Sequence, residues 1–132
     1  MPDASFNRSA LRAVFRVGGA VATVAGLHSV AEGAKSIAGQ DLANASVESE
    51  LRFYAAFYVA YGLAVLRVAP RADRDTAAVR ALAGALFLAG LARASGWLAA
   101  GKPHPLQRGL LVIELTGPSA IVAWQKRLAS RR

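Results

Sequence analysis

Four apolar stretches, each close to the length of a bilayer crossing, constrain this chain more than anything else in it. They run over about 11–31, 51–68, 77–100 and 106–124. A helix crossing ~30 Å of hydrocarbon needs ~20 residues at 1.5 Å each. The 132-residue chain therefore has room for one small domain, 1–132, and little beyond the helices themselves. The first stretch is the tightest fit. Its uncharged part, Val17 to Ala31, is 15 residues, so Arg12 and Arg16 must sit near an interface with their stems snorkelling.

Three polar connections separate the stretches. Glu32 to Glu50 is mixed, and 34–45 has room for a short interfacial helix. Ala69 to Thr76 reads APRADRDT, a proline-started turn in which Asp75 or Thr76 can cap the third helix. Gly101 to Pro105 reads GKPHP, a rigid break.

A net charge of +8 raises the question of nucleic acid. The cations answer it, because they bracket the apolar stretches instead of forming a run or stripe. One side carries Arg8, Arg12, Arg16, Arg67, Arg71, Arg74, Arg80, Lys126, Arg127, Arg131 and Arg132, eleven in all, against Asp3, Asp73 and Asp75. The other side carries five cations, Lys35, Arg52, Arg93, Lys102 and Arg108, against five acids, Glu32, Asp41, Glu48, Glu50 and Glu114. The positive-inside rule then predicts an all-α, antiparallel bundle of four transmembrane helices with both termini inside. Trp97 and Trp124 fall near opposite ends, as aromatic belts require. The basic side is expected to hold anchors and little else. A cleaved signal peptide is the alternative for the first stretch, with Ser29-Val30-Ala31 as the cleavage site. Against it stand Gly18, Ala22 and Gly26 at four-residue spacing, which suit close helix packing.

Charges at membrane depth are costly, at ~2.5–3.5 kcal/mol each, and tend to pair. Arg93 lies roughly 8 Å below the outer end of helix three and Glu114 roughly 12 Å below that of helix four. A short loop joins these helices, so an Arg93–Glu114 ion pair is predicted. Pro118 removes the hydrogen bond to the Glu114 carbonyl. Glu50, Tyr54, Phe57, Tyr58 and Tyr61 share one face of helix two, which reads as a polar-aromatic wall inside the bundle or as plain core packing. His28 and Glu32 lie four apart at the outer end of helix one. His104 is held between two prolines at the outer mouth. Together they outline a polar crevice in the outer half.

Glu48 to Tyr54 (ESELRFY) opening a helix, and GKPHP leading into a helix with Glu114, resemble a family of small four-helix bacterial membrane proteins catalogued as domain of unknown function 4345. The resemblance spans about 10–128. It implies the fold and a multi-pass location in the bacterial inner membrane, and no activity. It directs attention to Glu50, Arg52, Tyr54, Arg93, His104 and Glu114.

Absent cysteine excludes disulfides and thiolate metal sites, and two histidines are too few for an all-His site. No metal, cofactor or nucleic-acid partner is expected. The favoured expectation is an accessory protein, or one that binds membrane lipid, a lipophilic small molecule or another membrane protein. An isomerase-like membrane enzyme using Glu114, Glu50 and His104 as acid and base is the alternative. A proton-coupled exporter ranks last, because Arg93 would neutralise Glu114.

Overall fold

In the computed structural model, which describes residues 4–41 and 43–130, the chain is helical nearly throughout. Four long helices account for it: α1 (Ala4–Glu32), α2 (Ala45–Val68), α3 (Thr76–Ala100) and α4 (Pro105–Ala129). No strand occurs among the described residues. The helices outrun the apolar stretches because polar flanks supply their caps. The Asn44 side chain accepts from the Val47 N–H, Asp75 accepts from Ala78, and His104 Nδ1 accepts from Leu106 just before Pro105. Capping by Asp75 matches the sequence expectation.

The room for a short helix over 34–45 is used only in its first residues. Only a short 3-10 turn, Gly33–Ser36, stands there, while Leu42 lies outside the described residues. Gly33 takes φ +60° and Gly39 φ +85°. These left-handed positions interrupt any helix, and α2 claims the chain from Ala45 onward.

Three helical segments are long and apolar enough to cross a membrane: Ser5–Ser36, Ala45–Arg71 and Thr76–Ala100. Helix α4 has the length, 25 residues, but Gln107, Arg108, Glu114, Gln125, Lys126 and Arg127 lower its apolarity. Only 28%, 28% and 17% of the three apolar windows are buried inside the protein.

The chain divides into two compact units. In residues 13–70, α1 and α2 form an antiparallel hairpin at backbone contact. A Cβ on Gly19 would meet Leu66 and Gly62 at 2.8–3.0 Å, and one on Gly26 would meet Val59 and Ala55 at 2.7–3.1 Å. Gly18 has nothing within 4 Å. The close-packing motif is therefore Gly19, Ala22 and Gly26 (Ala22 being buried), one residue off the Gly18 pattern expected.

In the other unit, Met1–Arg12 with Arg71–Arg132, α3 and α4 pack side by side. Val79, Ala83 and Gly90 on α3 are buried, as are Leu111, Glu114, Pro118, Gln125 and Leu128 on α4. Both sets recur at helical spacing, one face per helix. The loop between α2 and α3 is tied inward. Arg12 Nε donates to Asp73 Oδ1 at 2.9 Å, and Gln125 Nε2 donates to the Ala72 carbonyl at 2.8 Å. Asp73 is 3% exposed. This corrects the expectation that the basic side holds anchors and little else.

Overpacking at a helix contact costs ~1–3 kcal/mol. Gly19→Val is expected to lower resistance to SDS unfolding by that order, with Gly18→Val near neutral; equal losses for the two would rule out the backbone contact. Asp75 supplies a pH test. Its carboxyl is held below the ordinary carboxylate range, first by the hydrogen bond from Arg71 Nε and next by the Ala78 N–H. A depressed folded-state pKa stabilises above the unfolded pKa of ~3.9 and is lost as pH falls through the lower value. Replacing it by Asn keeps a capping oxygen without the charge. The stability gap between the native protein and Asp75→Asn should be widest near neutrality and close in acid, as followed by helicity across a pH series.

Candidate functional site

The α3–α4 hairpin brings Arg93 and Glu114 together as their depths predict. Arg93 continues the buried face of α3 three residues beyond Gly90, and Glu114 lies on the buried face of α4. Gly90 makes the approach feasible, since a Cβ there would meet Glu114 Cβ at 3.0 Å and Leu115 at 2.9 Å. Arg93 Nε donates to Glu114 Oε2 at 2.7 Å and Nη2 donates to Oε1 at 2.9 Å. This is a two-pronged pair of the kind that holds a planar guanidinium against a carboxylate. Side-chain exposure is 34% for Arg93 and 8% for Glu114. Both carboxylate oxygens are engaged by the one guanidinium.

His104 of the same unit is exposed and serves as the N-cap of α4. Its ring nitrogen is spent on a backbone amide instead of reaching toward Glu114. Arg108, one turn further along α4, has a buried Nε with no hydrogen-bond partner.

Glu50, Arg52 and Tyr54 belong to the α1–α2 unit. Arg52 turns back onto α1. Its Nη1 donates to the carbonyls of Val30 at 2.6 Å and Ala31 at 3.0 Å, filling acceptors that a helix end leaves open. Beside it stands Glu48, a residue that sequence reasoning passed over in favour of Glu50. Glu48 accepts from the Ala34 N–H at 3.2–3.3 Å and lies 3.5 Å from Arg52 Nε. Its carboxylate presses on Gly33, where a side chain would collide with it. The four-residue spacing of Glu48 and Arg52 was the available signal. Both residues join the end of α1 to the start of α2.

Within the α1–α2 unit the aromatic stripe of α2 turns outward. Glu50, Tyr54, Phe57 and Tyr58 are exposed and Tyr61 is half-buried. Tyr58 and Tyr61 stack with centroids 6.4 Å apart. Ser46, Val47, Glu50, Leu51 and Tyr54 line a shallow, mainly apolar groove, with the Glu50 carboxylate and the Tyr54 phenol as its ionisable members. His28 and Glu32 are both exposed near the end of α1. No group of three or more metal-ligating side chains occurs among the described residues.

Asp73, Arg12 and Gln125 were also passed over. Gln125 was findable, because it stands eleven residues after Glu114 and hence on the same helical face. Asp73 had no such signal, since its partner is 61 residues away.

The model of a family described as "Domain of unknown function (DUF4345)" matches residues 10–125. No curated protein and no solved structure matches the chain.

Removing one partner of a buried ion pair costs ~3–5 kcal/mol, whereas replacing both by apolar groups is often neutral. Glu114→Leu alone and Arg93→Met alone are therefore expected to be strongly destabilised in detergent. The double variant should recover most of the loss. Additive losses in that double-mutant cycle would show that the two side chains do not act together.

Proposed function

The chain belongs to the DUF4345 family, and we propose that it is a non-catalytic protein of the bacterial inner membrane. In this reading residues 1–132 form one integral membrane domain of four spans, with both termini cytoplasmic. It acts as an accessory protein or as a binder of a lipid or other lipophilic molecule. The observation carrying the membrane reading is the apolar surface of the three long segments, most of which no protein atom covers. Helix α4 joins them as the fourth span because Arg93 neutralises the one acid in the middle of its length.

Ligand binding is assigned to the groove on α2. Ligand sites are mainly apolar, and the groove lined by Ser46, Val47, Glu50, Leu51 and Tyr54 is almost wholly apolar in surface. The apolar part of a lipophile fits that lining. The two-pronged Arg93–Glu114 pair supports a structural role for Glu114 over the isomerase-like alternative, since the guanidinium holds both carboxylate oxygens.

Two experiments bear on this. The chain has no cysteine, so single cysteines report topology directly. Cysteine at Ala38 or Lys102 should react with a membrane-impermeant maleimide on intact spheroplasts, and cysteine at Arg74 or Ser130 only after permeabilisation; the reverse pattern would overturn the orientation. For binding, a photoreactive side chain at Val47 should capture one lipophilic species in excess over the same probe at the exposed Leu98. Identical adducts at the two positions, read by mass spectrometry, would remove the groove as a binding site.

A further inference from the structure

The end of the molecule built from the 71–75 loop, the start of α3 and the end of α4 has a charge arrangement that packing does not require. Among the described residues, its two acids, Asp73 and Asp75, are engaged internally. Asp73 is buried against Arg12 at 2.9 Å, and Asp75 caps α3 while holding Arg71 at 2.7 Å. Gln125 fastens the loop to α4 through the Ala72 carbonyl. Arg74, Arg80, Lys126 and Arg127 are left exposed at the surface of this same unit, and none has an ion pair among the described residues. Arg8, one turn before Arg12 on α1, has a buried Nε that meets no hydrogen-bond acceptor. Buried donors nearly always find one, so an acceptor from outside the chain fits here.

We propose that this end is a binding surface for the headgroup phosphate of an anionic phospholipid. Charge complementarity selects the ligand, since Arg74, Arg80, Lys126 and Arg127 remain exposed while the described carboxylates of this end, Asp73 and Asp75, already hold Arg12 and Arg71. Depth selects a lipid over a free anion. The cations cluster where α3 begins and α4 ends, the level at which a phosphate lies if these helices span a bilayer. A polybasic surface of this kind contributes ~1 kcal/mol per Lys or Arg toward anionic lipid. The buried bonds of Asp73 and Gln125 act as positioning contacts that keep the acids turned inward. The proposal rests on the membrane reading but not on the groove of α2.

Trp124 reports the site, being next to Gln125 in sequence, and Trp97→Phe leaves it the sole tryptophan. The full chain carrying that change is reconstituted in phosphatidylcholine vesicles containing brominated phosphatidylglycerol or, in parallel, brominated phosphatidylcholine. Quenching of Trp124 is expected to give an affinity ratio of about fivefold or more for the anionic lipid. The ratio should fall with added salt. Replacing Arg74, Arg80, Lys126 and Arg127 together by Gln should bring it close to one. Exchanging the three arginines for Lys should retain it, which separates charge loss from misfolding.

A ratio near one in the unsubstituted cations, with the chain inserted, would overturn the headgroup site and leave the membrane reading standing. Failure to insert would overturn both. Preference for a labelled oligonucleotide over the lipid would also overturn the proposal.

Discussion

An ionised side chain turned toward the inside of a helical protein has to meet an opposite charge or a hydrogen bond, because burial removes the water that would otherwise stabilise it. Three inward-facing polar groups meet this demand. Glu114 meets both prongs of Arg93, Asp73 meets Arg12, and Gln125 meets the Ala72 carbonyl. These contacts fix the register of α3 on α4 and hold the loop that precedes α3. Without the arginine, the acid in the middle of α4 would oppose placing that helix beside apolar neighbours.

The α1–α2 hairpin meets a different constraint. It has small residues where the helices touch, and the backbones close to contact at Gly19, Gly26 and Gly62. On the proposed membrane reading there is little hydrophobic gain from bringing two apolar helices together, so close packing supplies the attraction. Glu48 and Arg52 finish the job at the end of the hairpin, where the last carbonyls of α1 need donors. Residues that look like chemistry in the sequence are therefore partly engaged in ending helices. His104 is a second case, a histidine between prolines that caps α4.

Legibility followed physical range. The helices were readable because apolar length is a local property, and Asp75 was readable as a cap because capping acts over three residues. The Arg93–Glu114 pair was readable because a four-residue connection leaves two helices no choice but to run side by side, which turns depth along each into proximity. The pairing of Asp73 with Arg12 spans 61 residues, and no local pattern announces it. The aromatic stripe of α2 was seen correctly as a stripe, yet a stripe does not say which way it faces. Glu50 and Tyr54 lie on its exposed side.

The sequence by itself determined the number of long helices, the uneven placement of the cations and the one ion pair forced by a short loop. These depend on composition, on spacing and on the length of a turn. Tertiary structure decided which acids remain available. It spent Glu48, Asp73 and Glu114 on internal contacts and left Glu50 at the surface, a division set by how the helices rotate and approach. A carboxylate carries the same charge wherever it stands in the chain; only packing determines whether a guanidinium has already reached it.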